Sequence, residues 1–266
     1  MKLAFKRFIP IIIYGIPIPG RNNPYISYPT SSKVLFKFED APEKFKLKLY
    51  VNEEFKDIIQ GEIKRFLQAL EETLDFKVEG SFTVKVDKPI TPLSTIASIL
   101  SGFKYVMESL GYPLTLYEYI EVCRRALKFK IQHQGMFETL LATTELNRGV
   151  IYRLGEGYIE LPKIPNFKVF YKYCLNVKAE YLGSLNPLLN AIVALSGRLV
   201  IEAANSIRES NEEMLELLHR MEEHIAKILY NINSECNDKI VDEPYGTLFI
   251  TITPKPTDYQ EVDIGV

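Results

Sequence analysis

Phe55, Ile58, Ile59, Ile63, Phe66, Leu67, Leu70 and Leu74 recur with the period of a helix, and charged side chains fill the opposite face. Such a helix is stable only when its apolar stripe covers another layer, so the chain has to supply one. β-rich segments lie on both sides of it. Lys33–Glu39 and Phe45–Val51 read as a hairpin around a turn signal at Asp40–Pro42, and Ser81–Val86 alternates as a strand. The stretch Pro17–Pro29 is too rich in proline for a helix or a central strand and is expected to be irregular.

Further along, a helix is expected from about Ser94 to Leu110, stopped by Gly111 and Pro113. Thr115 then reads as an N-cap with Glu118 as its capping-box partner, opening a helix that runs to about Lys128. Phe137–Leu146 reads as a short helix. Gly149–Arg153 and Tyr158–Leu161 read as strands around a Gly155–Gly157 turn, and Lys168–Leu175 as another strand. Two helices with strong apolar faces, Pro187–Ile207 and Glu212–Ile232, precede a last strand, Thr247–Thr253, and a polar tail. With no internal repeat and no regular βα alternation, this order defines an α+β class with mixed or antiparallel sheets and helical layers.

The 266 residues are enough to bury a sizeable core. A formal net charge of −2 removes the overall basic excess that holds nucleic acid. The apolar run Ile9–Ile18 is too short to span a membrane and is broken by Pro10 and Pro17. It also lacks the small-residue cleavage site of a secretory signal. Cys123, Cys174 and Cys236 are odd in number and match no zinc spacing, which points to a reduced, cytoplasmic setting.

Chemistry-bearing residues are sparse. His219 and His224 share a helix, but their spacing of five turns the second ring about 140° from the first at ~100° per residue, so they read as structural and not as a metal pair. His133, beside Gln132, Gln134 and Gly135, reads as a loop residue. The pairs Glu53–Glu54, Glu71–Glu72 and Glu212–Glu213 fit solvated helix faces. No glycine run forms a phosphate cradle: Gly15–Gly20 is interrupted by prolines, and Gly155 and Gly157 lie between strands. Pro89–Phe103 is more suggestive, because small hydroxylated residues crowd a strand-to-helix join. Ser94, Thr95 or Ser98 at that helix start would hold an anion, or Ser94 or Thr95 is simply the N-cap.

Three local sequences taken in order suggest a family. Ile11-Ile-Ile-Tyr14-Gly15 is followed by Arg21-Asn-Asn and then by Pro29-Thr-Ser31-Ser32-Lys33-Val34. Thr95-Ile-Ala97-Ser98-Ile-Leu-Ser101-Gly102-Phe103 opens a helix, and Asp242-Glu-Pro244-Tyr-Gly246-Thr-Leu-Phe precedes the last strand. Together with the element order, these resemble the GHMP superfamily of small-molecule kinases and decarboxylases, and most closely its diphosphomevalonate decarboxylase branch. The branch has a Tyr-Trp-Gly-Lys element, a Pro-x-x-Ser-Ser element, a Gly-Leu-Ala-Ser-Ser-Ala-Ser-Gly-Phe helix start and an Asp-Ala-Gly-Pro-Asn turn at the corresponding places.

The resemblance implies a two-lobed GHMP-kinase-like fold, with lobes at 1–165 and 166–266 sharing an extensive interface. It also implies a mevalonate-pathway activity in isoprenoid biosynthesis. Its departures are specific. Thr95 and Ile99 stand where the family's ATP loop has a glycine and a serine, so ATP is expected to bind poorly, with no cofactor and no metal. The Gly-Ser-Gly-Ser-Ala-Cys-Arg motif is absent, and its region carries Arg124, Arg125, Arg148 and Glu138 instead. The implied enzyme is a carbon–carbon lyase that takes an already phosphorylated substrate, converting mevalonate 3,5-bisphosphate to isopentenyl phosphate without ATP. Asp242 would be catalytic, and Arg21, Ser31, Ser32, Ser98 and Ser101 would hold substrate oxygens. The alternative is an inactive homologue that binds a metabolite or a protein partner, and a lesser one is an ATP-dependent kinase. Apolar positions on the two C-terminal helices are compatible with a homodimer.

Overall fold

The chain opens on two long paired strands, β1 (Lys2–Tyr14) and β2 (Tyr25–Lys44). The computed structural model describes residues 1–74, 79–164, 167–182, 189–231, 238–252 and 258–265. Extended backbone thus begins at Tyr25, inside the stretch expected to be irregular, and takes in Pro10 and Pro29. These two prolines face each other across the β1–β2 ladder, beside a register shift between Phe8 and Pro10. Neither can donate a backbone hydrogen bond, so the groups opposite need other partners. Thr30 Oγ1 donates to the Ile9 carbonyl at 2.7 Å, and the Gly265 N–H donates to the Pro29 carbonyl at 2.9 Å.

After β3 (Lys46–Tyr50) come α1 (Glu53–Leu74) and β4 (Glu79–Val86). The expected hairpin of Lys33–Glu39 with Phe45–Val51 does not form. β2 instead pairs with β4 at Val34–Glu39, and β3 runs parallel to β4. The helix α1 is the crossover between these parallel strands, and a crossover of that length is what parallel pairing requires. Its apolar stripe (Ile59, Ile63, Phe66, Leu70) is fully buried, as the period predicts.

The helical middle consists of α2 (Pro92–Ser109), α3 (Leu116–Leu127) and α4 (Ile131–Leu146). The capping box of Thr115 with Glu118 is present at the start of α3. α4 begins six residues before the expected Phe137, because it is buried on all sides from Gln132 to Thr144 and so shows no amphipathic period. Its buried hydroxyls are satisfied internally: Thr139, Thr143 and Thr144 each donate to the carbonyl four residues back. β5 (Gly149–Arg153) and β6 (Gly157–Leu161) complete the first sheet, in the order β3-β4-β2-β5-β6 with β1 also on β2.

The remaining elements are β7 (Lys168–Leu175), β8 (Glu180–Tyr181), α5 (Leu189–Arg208), α6 (Glu212–Leu229), β9 (Tyr230–Asn231), β10 (Lys239–Glu243), β11 (Gly246–Thr251) and β12 (Gln260–Asp263). Pro187, Ile232, Thr253 and Cys236 lie outside the described residues. A second sheet has the order β10-β11-β7-β12, and β8 pairs with β9. The supposed polar tail is β12, a full edge strand on β7. The helices cover the sheets and bury one continuous apolar core drawn from both of them. Among the described residues no helix is long and apolar enough to cross a membrane.

Candidate functional site

β10 turns into β11 through Pro244 and Tyr245, with Asp242 opposite Thr247 and Glu243 opposite Gly246. Strand alternation sends the two adjacent acids to opposite faces. Asp242 faces α4, where His133 Nε2 lies 3.2 Å from its carboxylate. The two side chains are 16% and 9% exposed. His133 is therefore a buried helical residue and not a loop histidine. Local sequence does not reveal this, because the polar run Gln132-His133-Gln134 beside Gly135 looks like a loop although all of it is buried in α4.

Glu243 faces the other way, toward the start of α2. Burial pushes its carboxyl up to about 8, a hydrogen bond from Thr91 pulls it down, and the charge of Asp242 raises it further. Thr91 is the N-cap of α2, accepting the Ser94 N–H at 3.1 Å, and Pro92 occupies the first turn. Neither Ser94 nor Thr95 is the cap. Proline at a helix start is preorganised for that position, so the helix begins earlier than the hydroxyl cluster suggests. The Thr95 hydroxyl bonds to the Thr91 carbonyl at 2.8 Å, and Ile99 is fully buried. The segment Thr95–Phe103 is thus helix interior, and a carboxyl of the chain itself stands beside the α2 N-terminus.

At the start of β10, three residues before Asp242, Lys239 enters a buried ionic knot. Lys239 Nζ lies 2.5 Å from Glu222 of α6, and both side chains are fully buried. Lys239 also donates to the Ile13 carbonyl at 2.9 Å, while Glu222 accepts the Gly15 N–H at 2.9 Å. Burial lowers the Lys239 pKa against the pull of Glu222. Gly15 has a φ of +104°, and a Cβ there would come within 2.7 Å of the Pro24 carbonyl oxygen, so the turn that presents its N–H requires glycine. His219 stands close by, its pKa lowered to about 3 by burial and by Lys239, and is neutral. His224 Nδ1 lies 2.7 Å from the Arg220 carbonyl oxygen. No group of three or more metal-binding side chains gathers among the described residues.

The other expected site residues are scattered. Ser98 is fully buried in α2 and donates to the Ser94 carbonyl at 3.0 Å. Ser101 is fully buried beside Glu145 at the end of α4. Ser32 is buried in β2, its N–H on Thr30 Oγ1, whereas Ser31 is exposed. Of the arginines in the region of the missing motif, Arg124 makes a two-pronged bond to the buried Glu138 at 2.9 and 3.1 Å. Arg125 pairs with Glu121, and Arg148 pairs with Glu160.

Arg21 is exposed and donates to Asn190 Oδ1 at 2.9 Å, which sets it at the mouth of a cleft of about 810 Å³ between α5 and the β5–β6 hairpin. Arg153, Arg198 and Arg208 line the same cleft, and Glu156 is its one acid among the described residues. Asp242 does not line it.

No family model and no curated protein matches the chain. Solved structures do. The fold is similar to Methanococcus jannaschii mevalonate kinase at a TM-score of 0.67 and 11% identity, over 99% of this chain and 98% of that one. It is similar to L. major mevalonate kinase in complex with R-mevalonate at 0.64 and 10%, over 94% and 87%. It is also similar to Staphylococcus aureus mevalonate diphosphate decarboxylase at 0.59 and 10%, over 99% and 96%. The chain therefore has the GHMP-kinase-like fold. Kinases and decarboxylases of the mevalonate pathway share it, so fold alone does not select between them.

Proposed function

We propose that this chain acts without nucleotide on a small carboxylate that is already phosphorylated, a mevalonate-type 3,5-bisphosphate, and decarboxylates it. The observation that carries this reading is Glu243. At the N-terminus of α2, where a helix dipole and free N–H groups favour a bound anion, the chain places a carboxyl of its own. An incoming triphosphate would meet that carboxyl, the bulk of Pro92 and a closed Thr91 cap.

A substrate that brings its own leaving group needs no phosphate donor. The C3–O bond breaks and its electron pair leaves with phosphate. The bond to the carboxylate then breaks, and its pair forms the new C=C as CO₂ departs. Isopentenyl phosphate, inorganic phosphate and CO₂ balance the reaction, and no proton is transferred. The protein supplies position and charge. Asp242, held by His133, is the anion assigned to the cationic C3. Arg21, with its bidentate fork, is assigned to the substrate's anionic oxygens, and Ser31 is the one expected serine with an exposed side chain.

Incubation with mevalonate 3,5-bisphosphate and no ATP should release phosphate and isopentenyl phosphate in equal amounts. Calorimetry with MgATP should show no micromolar binding, and such binding would overturn the nucleotide-free reading. A second reading, binding without turnover, is favoured by one observation: Asp242 is 16% exposed and stands outside the arginine-lined cleft. Saturable binding of the bisphosphate with no product would select it.

A further inference from the structure

We propose that the cleft between α5 and the β5–β6 hairpin is a binding site for a molecule with anionic groups at two ends of an apolar body, such as an alkyl bisphosphate. The inference rests on the reading above only in expecting a phosphorylated ligand. It requires no chemistry from Asp242.

Charge is the first support. Four arginines face one glutamate in this cleft, on a chain whose formal net charge is −2. Arg153 is held by Glu156 at 2.7 Å, Arg21 by Asn190, and Arg198 only loosely by Glu202 at 3.7 Å. Arg208 has no ion pair among the described residues. A concave wall of one sign concentrates field and draws in anions of the opposite sign. Arginine forks suit phosphate and carboxylate in particular.

Spacing along α5 is the second. Arg198, Ile201, Asn205 and Arg208 follow each other at intervals of three and four, so they share one helix face. The two arginines are ten residues apart, about 15 Å along the axis at 1.5 Å per residue. Between them Ile201 and Ala204 make the wall apolar, with Asn205 as its polar side chain. Ile201 is 54% exposed, and Ile159 on the opposite wall is 56% exposed. Large aliphatic side chains left open inside a concave, arginine-rimmed wall fit a ligand with a hydrocarbon body. A single small anion would leave most of the cleft of about 810 Å³ unfilled.

The test uses a plain probe, hexane-1,6-diyl bisphosphate, with hexane-1,6-diol as the uncharged control. Calorimetry in low salt should show one saturable site for the bisphosphate at about 100 μM or tighter and none for the diol. Arg153→Ala and Arg208→Ala, both at exposed positions and checked for folding by circular dichroism, should each weaken binding about tenfold. Arg125→Ala, at an exposed position outside the cleft, should leave the affinity unchanged. No saturable binding, or binding untouched by both arginine variants, would overturn the proposal. Probe binding without any turnover of mevalonate 3,5-bisphosphate leaves the cleft standing and removes the reaction. Turnover with an unchanged KM in the Arg153→Ala, Arg208→Ala double variant leaves the reaction and removes the cleft.

Discussion

Asp242 and His133 lie 109 positions apart in the chain and 3.2 Å apart in space, joining the second sheet to the buried helix of the first. Asp242→Asn keeps the shape and removes the charge. If Asp242 faces the cationic carbon, this variant should lower phosphate release from mevalonate 3,5-bisphosphate by about 100-fold or more while KM stays nearly constant. An unchanged rate would remove Asp242 from the chemistry. His133→Ala should cost less, on the order of tenfold, because it removes the partner that positions the acid and leaves the acid itself.

The Lys239–Glu222 pair gives a prediction about stability. Lys239→Met strands a buried carboxylate and should cost roughly 3–5 kcal/mol in urea unfolding. The double variant Lys239→Met, Glu222→Leu should recover much of that loss, because no charge is then left unpaired. A double variant as unstable as the single one would show that packing, and not charge, dominates the knot.

Gly15→Ala should be destabilising by about 2 kcal/mol or more, because the new Cβ meets the Pro24 carbonyl and the backbone φ is strongly positive. The same change should raise the cost of burying Glu222, whose carboxylate takes the Gly15 N–H. Thermal unfolding of the variant measures the sum, and a melting temperature equal to that of the parent would contradict it.

Two buried groups predict the pH dependence. The Glu243 carboxyl is raised to about 8 from an ordinary 4.5. Between those values the folded state holds a proton that the unfolded state has lost, so stability falls as pH rises. His219 is lowered to about 3 from 6.5, so between those values the unfolded state holds the extra proton and stability rises with pH. The two slopes oppose each other from pH 4.5 to 6.5, and Glu243 alone acts from 6.5 to 8. Glu243→Gln should flatten the decline above pH 6.5, at most about 1.4 kcal/mol per pH unit. A decline of the same slope in the variant would exclude Glu243 as its source.

The elements legible in the sequence are those that face water on one side. α1, α3 and α6 each show a clean polar face or a cap, and Thr115 with Glu118 forms the expected capping box. α4 was only half visible, because a helix buried all round has no period. The β1–β2 pair was hidden by its prolines, which suit a strand here only because Thr30 and Gly265 supply the missing partners. The edge strand β12 looked like a tail because its charged side chains face outward. At the site, Asp242 was singled out only through the family resemblance. His133, Lys239 and Glu222 were not legible, because their meaning lies in contacts between distant elements that local spacing does not encode.

The facing prolines of β1 and β2 have one more consequence. Because Pro10 cannot fill the Pro29 carbonyl, that acceptor is left for the far end of the chain, and Gly265 occupies it while Thr30 bridges Ile264. Residues from opposite ends of the molecule are thereby fastened like a clasp. A truncation that removed residues 258–265 would open it, stripping an edge strand from one sheet and leaving a bare carbonyl in the middle of the other.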